Sequence, residues 1–440
     1  MLKKVFDKRD ESTAVKIKDA VFPVPFQNGL EYNPPARGVW NIVHTGMLIP
    51  EARQIFACPR GCLRGVILTA SEMNESGRMS WIGVSEDDFT NGKLEQNIID
   101  ATQEILESCE KLPPCVLIFI SCIHLFSGTD FEMILTELSE KFPSVDFVDC
   151  YMTPTMRKTI SPDAKMRISL YKPLKKLPEN KKSINIIGSD FRTDRESELI
   201  EILETNGYEI KELPACRNYH EYLEMGESFL NLTLIPNAFQ SGHILSQRLK
   251  TVHIHIPCCY GYDEIEENYR RLFSFLKTEM PDFENERIRC ENALANALKV
   301  IGKTAVSIDY TAVFRPLGLA RLLAQHGFNV TEIICDVFSQ EEKEDFEFLQ
   351  HNFPDIEIRC SVKPEMRFYH NESCEKVLCI GQKSAWYNSS DYFVNIVSGG
   401  GFYGFRGIEK ICSLMTEAFL VPKDRRKEIS RKGLGCESCL

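Results

Sequence analysis

The chain has 440 residues, of which 43% are hydrophobic and 26% are charged. A chain of this length folds as several domains of about 100 to 200 residues each, and this composition is typical of globular rather than disordered proteins. The 52 basic and 63 acidic side chains give a net charge of −11. This charge disfavours nucleic acid and anionic membranes as partners, because no overall positive field attracts phosphates.

The N-terminal segment is charged throughout and lacks the apolar core of a secretory signal. The most apolar stretch, residues 115–126, is too short to cross a bilayer. We therefore expect a soluble, cytoplasmic protein with no membrane partner. The 17 cysteines are an odd number in a reducing compartment, so we expect most of them to pack in cores and a few to carry chemistry.

Short β-branched runs alternate with amphipathic stretches along the chain, which predicts an α/β fold with parallel sheets covered by helices. In the first part, helices are predicted over 94–111 and 131–142, and strands over 116–120 and 145–148. The basic, proline-containing segment 172–182 indicates a linker.

Further strands and helices follow the linker in the same alternation. Strands are predicted over 184–188, 232–235, 252–256, 305–308, 330–335, 356–359, 377–381 and 395–397, and helices over 194–207, 284–301, 316–326, 341–351 and 408–419. The architecture inferred is three Rossmann-like, doubly wound domains in series. Their predicted bounds are 1–180, 181–301 and 302–420, followed by a charged tail over 421–440.

The strongest local motif is a pair of cysteines, Cys58 and Cys62, separated by Pro-Arg-Gly. Arg60 and Arg64 would favour thiolates there, as would the N-terminus of a following helix. Two thiolates are too few for a complete cluster site. Iron–sulfur ligation, a redox pair and a purely structural role all remain open from the residues alone.

A third cysteine, Cys122, follows a continuous apolar strand at the end where sites form in open parallel sheets. His124, two residues later, is interpreted as a ligand, a proton donor or a satisfied polar neighbour. Residues 127–130 indicate a turn and the N-cap of the next helix.

Two other cysteine pairs carry weaker signals. Cys258 and Cys259 follow the strand over 252–256 and are minor candidates for metal ligation, with packing as the alternative. The tail contains a Cys-x2-Cys pair, Cys436 and Cys439. It is interpreted either as an accessory metal or redox site or as two incidental cysteines.

Neither nucleotide-like motif indicates a nucleotide site of the chain's own. Residues 302–304 lack the upstream glycine of a P-loop and precede a strand. Residues 399–404 match G-x-G-x-x-G but come late in the chain, so a tight turn lining an interdomain cleft is the favoured interpretation.

Taken together, these segments resemble nitrogenase component 1 and its relatives, and are most similar to an uncharacterised group from anaerobes. The resemblance is carried by five segments: Cys58-Pro-Arg-Gly-Cys62, the loop over 84–95, Ser121-Cys122 with Gly128-Thr-Asp130, the glycine-aromatic turn over 401–407, and residues 37–51.

The resemblance implies three Rossmann-like domains, assembly as a homodimer or heterodimer with a homologous subunit, and an iron–sulfur cluster, of the 4Fe-4S type, at a subunit interface. It also implies that electrons come from a separate ATP-hydrolysing iron protein. Cys62 and Cys122 match two of the family's cluster cysteines.

The chain departs from the family at three places. The region 31–37 has no cysteine where the family's first cluster cysteine is expected, so Cys58 or a partner subunit is expected to substitute. Segment 231–237 has no cysteine and segment 393–399 has no histidine to hold the nitrogenase active-site cofactor. Reduction of dinitrogen is therefore not expected.

The resulting hypothesis is an oxidoreductase component whose cluster, held by Cys58, Cys62 and Cys122, passes low-potential electrons to an unknown substrate, with His44 or His124 as candidate proton donors. The alternatives are a non-catalytic scaffold that carries a metallocluster or tetrapyrrole, and a structural partner subunit whose paired chain owns the active site.

Overall fold

The structure, a computed structural model, describes residues 13–26, 42–153, 160–369, 371 and 375–430. The segment 31–37 and the pair Cys436 and Cys439, which the sequence analysis singled out, lie outside these residues. The described chain forms three sheets with helices packed against them. This confirms the predicted α/β class with Rossmann-like units. The first described strand, β1 (Ala14–Lys16), belongs to the third sheet.

The first sheet has four parallel strands in the order β3-β2-β4-β5. Its unit consists of α1 (Ile42–Met47), β2 (Arg53–Cys58), α2 (Arg60–Glu72), β3 (Met79–Gly83), α3 (Glu86–Thr90), α4 (Leu94–Glu107), β4 (Cys115–Ser121), α5 (Cys122–Ser127), α6 (Phe131–Lys141), β5 (Asp146–Met152) and α7 (Pro162–Ser169). Strand β4 is buried along its whole length, as its unbroken apolar run requires in a sheet covered on both faces.

The second sheet repeats this arrangement in the order β7-β6-β8-β9, again with all strands parallel. Its elements are β6 (Asn180–Ile186), α8 (Glu198–Thr205), β7 (Glu209–Glu212), α9 (Tyr219–Leu223), β8 (Ser228–Thr233), α10 (Phe239–Leu249), β9 (Val252–His255) and α11 (Tyr262–Leu276). Strand β6 begins inside the segment predicted as a linker.

The third sheet has six strands in the order β1-β12-β11-β10-β13-β14, of which only β1 runs antiparallel to its neighbour. Its elements are α12 (Glu284–Ile301), β10 (Ala305–Asp309), α13 (Pro316–Gln325), β11 (Asn329–Ile334), α14 (Lys343–Asn352), β12 (Glu357–Arg359), β13 (Val377–Ile380), α15 (Gln382–Tyr387), β14 (Phe393–Val394), α16 (Gly404–Leu420) and α17 (Arg425–Ser430).

The start of the predicted charged tail packs onto the third unit. Ile429 of α17 is 2% exposed and joins a small apolar cluster with Val377 and Phe393. The Arg425 guanidinium pairs with the Asp391 carboxylate at 2.6 Å. One apolar residue and one ion pair therefore hold α17 in place.

The three units share two continuous cores. One core joins the second and third sheets, and a second joins one face of the first sheet to helices α9 and α10 of the second unit. The domain bounds near 180 and 302 remain predictions, because the apolar packing runs across both positions.

Each sheet has a point where the chain connections turn in opposite directions. From β2 the chain passes to β3 on one side and then to β4 on the other, and β6 and β10 occupy the same place in the other two sheets. Ligands of open α/β sheets bind outside the carboxyl ends of the strands at such points. Binding sites are therefore expected in the loops after β2 and β4, after β6 and β8, and after β10 and β13.

Candidate functional site

The three cysteines predicted as cluster ligands lie at the carboxyl ends of β2 and β4. Cys58 is the last residue of β2, Cys62 lies in the first turn of α2, and Cys122 is the first residue of α5. Strands β2 and β4 are parallel, with Ala57 opposite Ile120. The polypeptide therefore leaves both strands at the same edge of the sheet. We call Cys58, Cys62 and Cys122 the cysteine edge.

Apolar packing fixes the strands beneath this edge. The rings of Phe56 and Phe119 stack with centroids 4.3 Å apart across β2 and β4, and both side chains are fully buried. Their stacking locks the two strand ends in relation to each other, because aromatic pairs of this geometry favour one arrangement.

The three side chains of the cysteine edge differ in their exposure to solvent. Cys58 is buried, Cys122 is half-buried and Cys62 is exposed. Burial, together with the neighbouring Cys62 sulfur, raises the pKa of the Cys58 thiol to about 12. Cys58 is therefore a thiol at neutral pH unless a cation replaces its proton.

His124 is fully buried and its ring orientation is fixed. The backbone N–H of Ser121 donates to Nδ1 at 3.2 Å, so Nδ1 holds a lone pair and Nε2 carries the proton of the neutral ring. Burial lowers the pKa of His124, which keeps the ring neutral. A metal bound at Nε2 would require an imidazolate, so this geometry disfavours the ligand role. The contact with Ser121 is that of a polar neighbour at the start of α5, and the role of proton donor remains a prediction.

The other predicted histidine, His44, is half-buried in α1, which packs against α2 and α7. Residues 127–130 form the predicted turn and cap. Gly128 ends α5 with a φ of 71°, and the Asp130 carboxylate accepts from the backbone N–H of Met133 at 2.9 Å.

The cysteine edge supplies soft anionic donors of the kind that iron prefers. Within the part of the chain that the structure describes, however, no group of three or more His, Cys, Asp or Glu side chains is arranged to hold a metal ion. The donor chemistry fits an iron–sulfur cluster, and the donor count requires ligands from elsewhere.

A second candidate site lies between the second and third sheets, where a cavity of about 20 Å³ opens at the carboxyl ends of their strands. We call it the interdomain cleft. Its lining is mostly apolar and comes from the loops after β6, β8, β9, β10 and β14: Ser189, Phe191, Thr193, Leu234, Ile235, Cys258, Phe314, Ser398, Gly399, Gly401, Phe402 and Tyr403.

Cys258 and Cys259 are buried beside this cleft, in a different core from the cysteine edge. Burial raises the pKa of Cys258 to about 11. The Asn268 side-chain amide donates to the Cys259 sulfur at 3.4 Å. The structure thus does not bring this pair together with Cys58, Cys62 and Cys122.

The glycine turn predicted to line a cleft does so. Gly399, Gly400 and Gly401 all have positive φ, of 74°, 59° and 77°, a conformation that disfavours other residues. The N-terminus of the following helix, α16, is already occupied. The buried Glu198 carboxylate accepts from the backbone N–H groups of Phe405 and Arg406 at 2.6 and 3.1 Å. A pyrophosphate cannot occupy the place that this carboxylate fills.

Sequence reasoning missed one polar cluster beside the cleft. Thr233 at the end of β8 hydrogen-bonds to both His253 and His255 of β9, and His255 pairs with Glu341 of the third unit. The alternation Val-His-Ile-His in β9 was the available signal, because alternate residues of a strand face the same side. Thr233 and Glu341 are too distant in sequence to have been linked to it.

The comparison with protein families decides the identity of the fold family. Residues 44–385 match the model of the nitrogenase component 1 type oxidoreductases. The chain belongs to this family.

Two solved structures, both described as nitrogenase Cp1, agree with this assignment. The structure described as nitrogenase Cp1 at pH 6.5 superimposes with a TM-score of 0.67 at 14% identity, covering 92% of this chain and 95% of that chain. Nitrogenase Cp1 at pH 5 gives a TM-score of 0.61 at 14% identity, covering 93% and 94%. At this identity the likeness establishes the shared fold.

No curated protein sequence shows significant similarity to the chain. Among the helices that the structure describes, none combines the length and the apolar character needed to cross a membrane. The closer relation to an anaerobe group, drawn from residues 37–51, remains a prediction.

Proposed function

We propose that the chain is a subunit of a nitrogenase-like iron–sulfur oxidoreductase, which takes low-potential electrons from a separate ATP-dependent iron protein and reduces a substrate other than dinitrogen. Members of this family bind iron–sulfur clusters and form multimers that work with an iron-protein reductase. The observation that carries the proposal is the cysteine edge at the switch point of the first sheet.

Cys58, Cys62 and Cys122 would hold the cluster, with a homologous subunit completing the ligand set. A second subunit is proposed for this role because the described part of the chain supplies too few grouped ligands. Exposed apolar side chains lie on the helices that begin at this edge. Leu68 of α2 is 46% exposed and Phe126 of α5 is 75% exposed, and such side chains favour a protein interface.

Such a cluster would supply one-electron transfer at low potential. The protein's own contribution is to keep Cys58 away from water and to place His124 with its Nε2 proton beside the same edge. Cys58 is the last residue of β2, and His124 lies in the first turn of α5, three residues after the end of β4.

The interdomain cleft is the proposed substrate site. Its β8 loop presents Leu234 and Ile235, and its β14 loop presents Ser398 and Gly399. Neither of these two loops offers a sulfur or imidazole ligand for a resident dinitrogen-reducing cofactor, and the cysteine in the cleft lining, Cys258, comes from the β9 loop instead.

The proposal is tested by iron and sulfide analysis with reduced-state EPR on anaerobically purified protein. Wild type is compared with Cys58→Ala, Cys62→Ala and Cys122→Ala. Cys109→Ala is the matched control, because Cys109 is half-buried in the same unit but follows α4, remote from the carboxyl ends of β2 and β4. We expect stoichiometric iron in wild type and control, and its loss in the three edge variants.

Protein without iron, even after reconstitution together with a homologous subunit, would contradict the redox function. Iron that survives Cys62→Ala would support the structural-partner alternative. Cargo that is bound and released with no turnover in the presence of an iron protein would support the scaffold alternative.

A further inference from the structure

A continuous line of hydrogen bonds runs from the second unit to the third beside the interdomain cleft. Thr233 Oγ1 lies 2.8 Å from His253 Nε2 and 2.8 Å from His255 Nδ1. His255 Nε2 lies 2.8 Å from Glu341 Oε1. The four side chains form an unbroken series of three short contacts, which we call the histidine chain.

The chemistry of the four groups fixes the direction of these hydrogen bonds. A carboxylate at Glu341 accepts, so His255 Nε2 carries a proton and Nδ1 of the neutral ring holds a lone pair. The single hydroxyl hydrogen of Thr233 then points to His255 Nδ1. Thr233 Oγ1 in turn accepts from His253 Nε2, so every donor points the same way.

Two ends of the histidine chain differ in their access to water. At one end, His243 is exposed and its ring centroid lies 6.3 Å from that of His253. At the other end, the Glu341 side chain is 28% exposed, but its Oε2 atom is buried and has no hydrogen-bond partner within the described residues. The Arg315 guanidinium donates to the backbone carbonyl of Glu341 at 3.1 Å, and its sequence neighbour Phe314 lines the interdomain cleft. Thr233 likewise directly precedes Leu234, which lines the same cleft.

We propose that the histidine chain conducts protons from solvent at α10 to Glu341, at the margin of the interdomain cleft. The purpose rests on the proposed function, because a reduction in the cleft consumes protons together with electrons. The transfer itself needs no cluster, oxidant or reductant.

One transfer moves a single proton from water to Glu341 in a series of steps. A proton from water binds His253 Nδ1 while the Nε2 proton passes to Thr233 Oγ1. The hydroxyl hydrogen passes to His255 Nδ1, and the His255 Nε2 proton passes to the Glu341 carboxylate. Each N–H or O–H bond broken is matched by one formed, and the net result is one proton moved from water to Glu341.

Helix α10 packs closely against the histidine chain. A Cβ added at Gly242 of α10 would lie 2.5 Å from Thr233 Cγ2 and 2.7 Å from His253 Nε2, so α10 closes directly on the histidine chain. The charged or titratable groups around it are His243 on α10, and Arg315, Glu264 and Cys258 near Glu341. Metal binding is not the favoured alternative, since these histidines form no metal-holding group within the described ranges.

The test is the exchange rate of the His255 Nε2 proton with water, measured by NMR on deuterated protein with 15N-labelled histidine. The chain has only 9 histidines, and His253→Gln and His255→Gln assign the two signals. Thr233→Val removes the hydroxyl at nearly constant volume, and Thr233→Ser is the matched control that keeps it.

We expect Thr233→Val to slow this exchange by about tenfold or more and Thr233→Ser to leave it near the wild-type rate. Gly242→Ala should slow it likewise while retaining every group of the histidine chain. A hydrogen bond with only a structural role predicts the opposite, because its loss exposes the proton and speeds exchange. Faster or unchanged exchange in folded Thr233→Val would overturn the proposal, whatever the iron analysis shows.

Discussion

The imidazole of His253 is a titratable group held partly away from water beside two other histidines. Burial lowers its pKa to about 4, and repulsion from His255 and His243 contributes to the shift. In the unfolded chain the same ring titrates near 6.5. The folded protein therefore binds fewer protons than the unfolded chain between these two pH values.

From this difference we expect a pH-dependent free energy of unfolding. The contribution of the neutral His253 ring to the free energy of unfolding is fully present above pH 6.5. It is lost as the pH falls towards 4, because the ring then takes up a proton when the chain unfolds. Urea unfolding midpoints measured from pH 7 to 4.5 should fall less steeply in His253→Asn than in wild type. His351→Asn, at an exposed histidine of α14, is the control and should follow wild type. Equal slopes for His253→Asn and wild type would contradict the expectation.

Residue-scale features were predictable where they are local in sequence. Asp130 as an N-cap and the glycine turn after β14 follow from short motifs, and both are confirmed. The role of Glu198 at the N-terminus of α16 was not predictable, because the two lie about 200 residues apart and only the fold brings them together.

Helix α7 and the loop after β6 are joined by a buried ion cluster. Arg167 is 2% exposed and donates to both Asp163 oxygens at 2.9 and 3.1 Å, and it pairs with Asp190 at 3.0 Å. The cluster connects the first unit to the second. Asn237 also donates to Asp163, at 3.0 Å, so the loop after β8 is tied to the same point.

Loss of this arginine is expected to be severe. Arg167→Met would leave two buried carboxylates without a cation, which lowers the free energy of unfolding by about 3–5 kcal/mol. Chemical denaturation of the two proteins measures the difference. Lys16→Met removes an exposed ion pair with Asp355 and should change the midpoint little. An Arg167→Met protein as stable as Lys16→Met would show that the buried cluster does not hold the units together.

At the element scale, amphipathic periodicity was the reliable signal. The helix predicted over 284–301 is α12 with the same bounds. The predicted strand at 395–397 is displaced, since β14 covers only Phe393–Val394. Short buried strands carry no periodicity that fixes their ends, so the neighbouring strand β13 sets the register instead.

On the scale of the whole molecule, the proposed assembly places the cysteine edge at a subunit interface. Phe126 is 75% exposed on α5, the helix that Cys122 begins. A large aromatic side chain in this position is typical of an interface anchor.

Phe126→Glu should therefore weaken subunit association at least about tenfold, or about 1.4 kcal/mol. Sedimentation equilibrium of the chain, alone and mixed with a homologous component 1 subunit, measures the dissociation constant. Val337→Glu is the control, because Val337 is 59% exposed but lies in the third unit. An unchanged dissociation constant for Phe126→Glu would place the interface elsewhere.

The α/β fold class followed from the alternation of strands and helices, while the pairing of distant segments did not. The sequence contains no sign that β1 joins the third sheet, because Ala14–Lys16 is too short for a recognisable pattern and its partner lies in β12. The glycine turn was predicted to line an interdomain cleft, but the rest of the lining was not predictable, because it comes from separate loops that only the fold brings together.

The antiparallel pairing of β1 with β12 has a consequence for synthesis on the ribosome. Ala14–Lys16 leaves the ribosome long before Glu357–Arg359 exists, so β1 has no partner while the first and second units are made. Contacts between segments so distant in sequence form late and slow folding. The two parallel four-stranded sheets can close in turn, whereas the edge of the third sheet is completed only near the end of translation. Until β12 emerges, Ala14–Lys16 is an unpaired segment to which chaperones or a neighbouring nascent chain can bind.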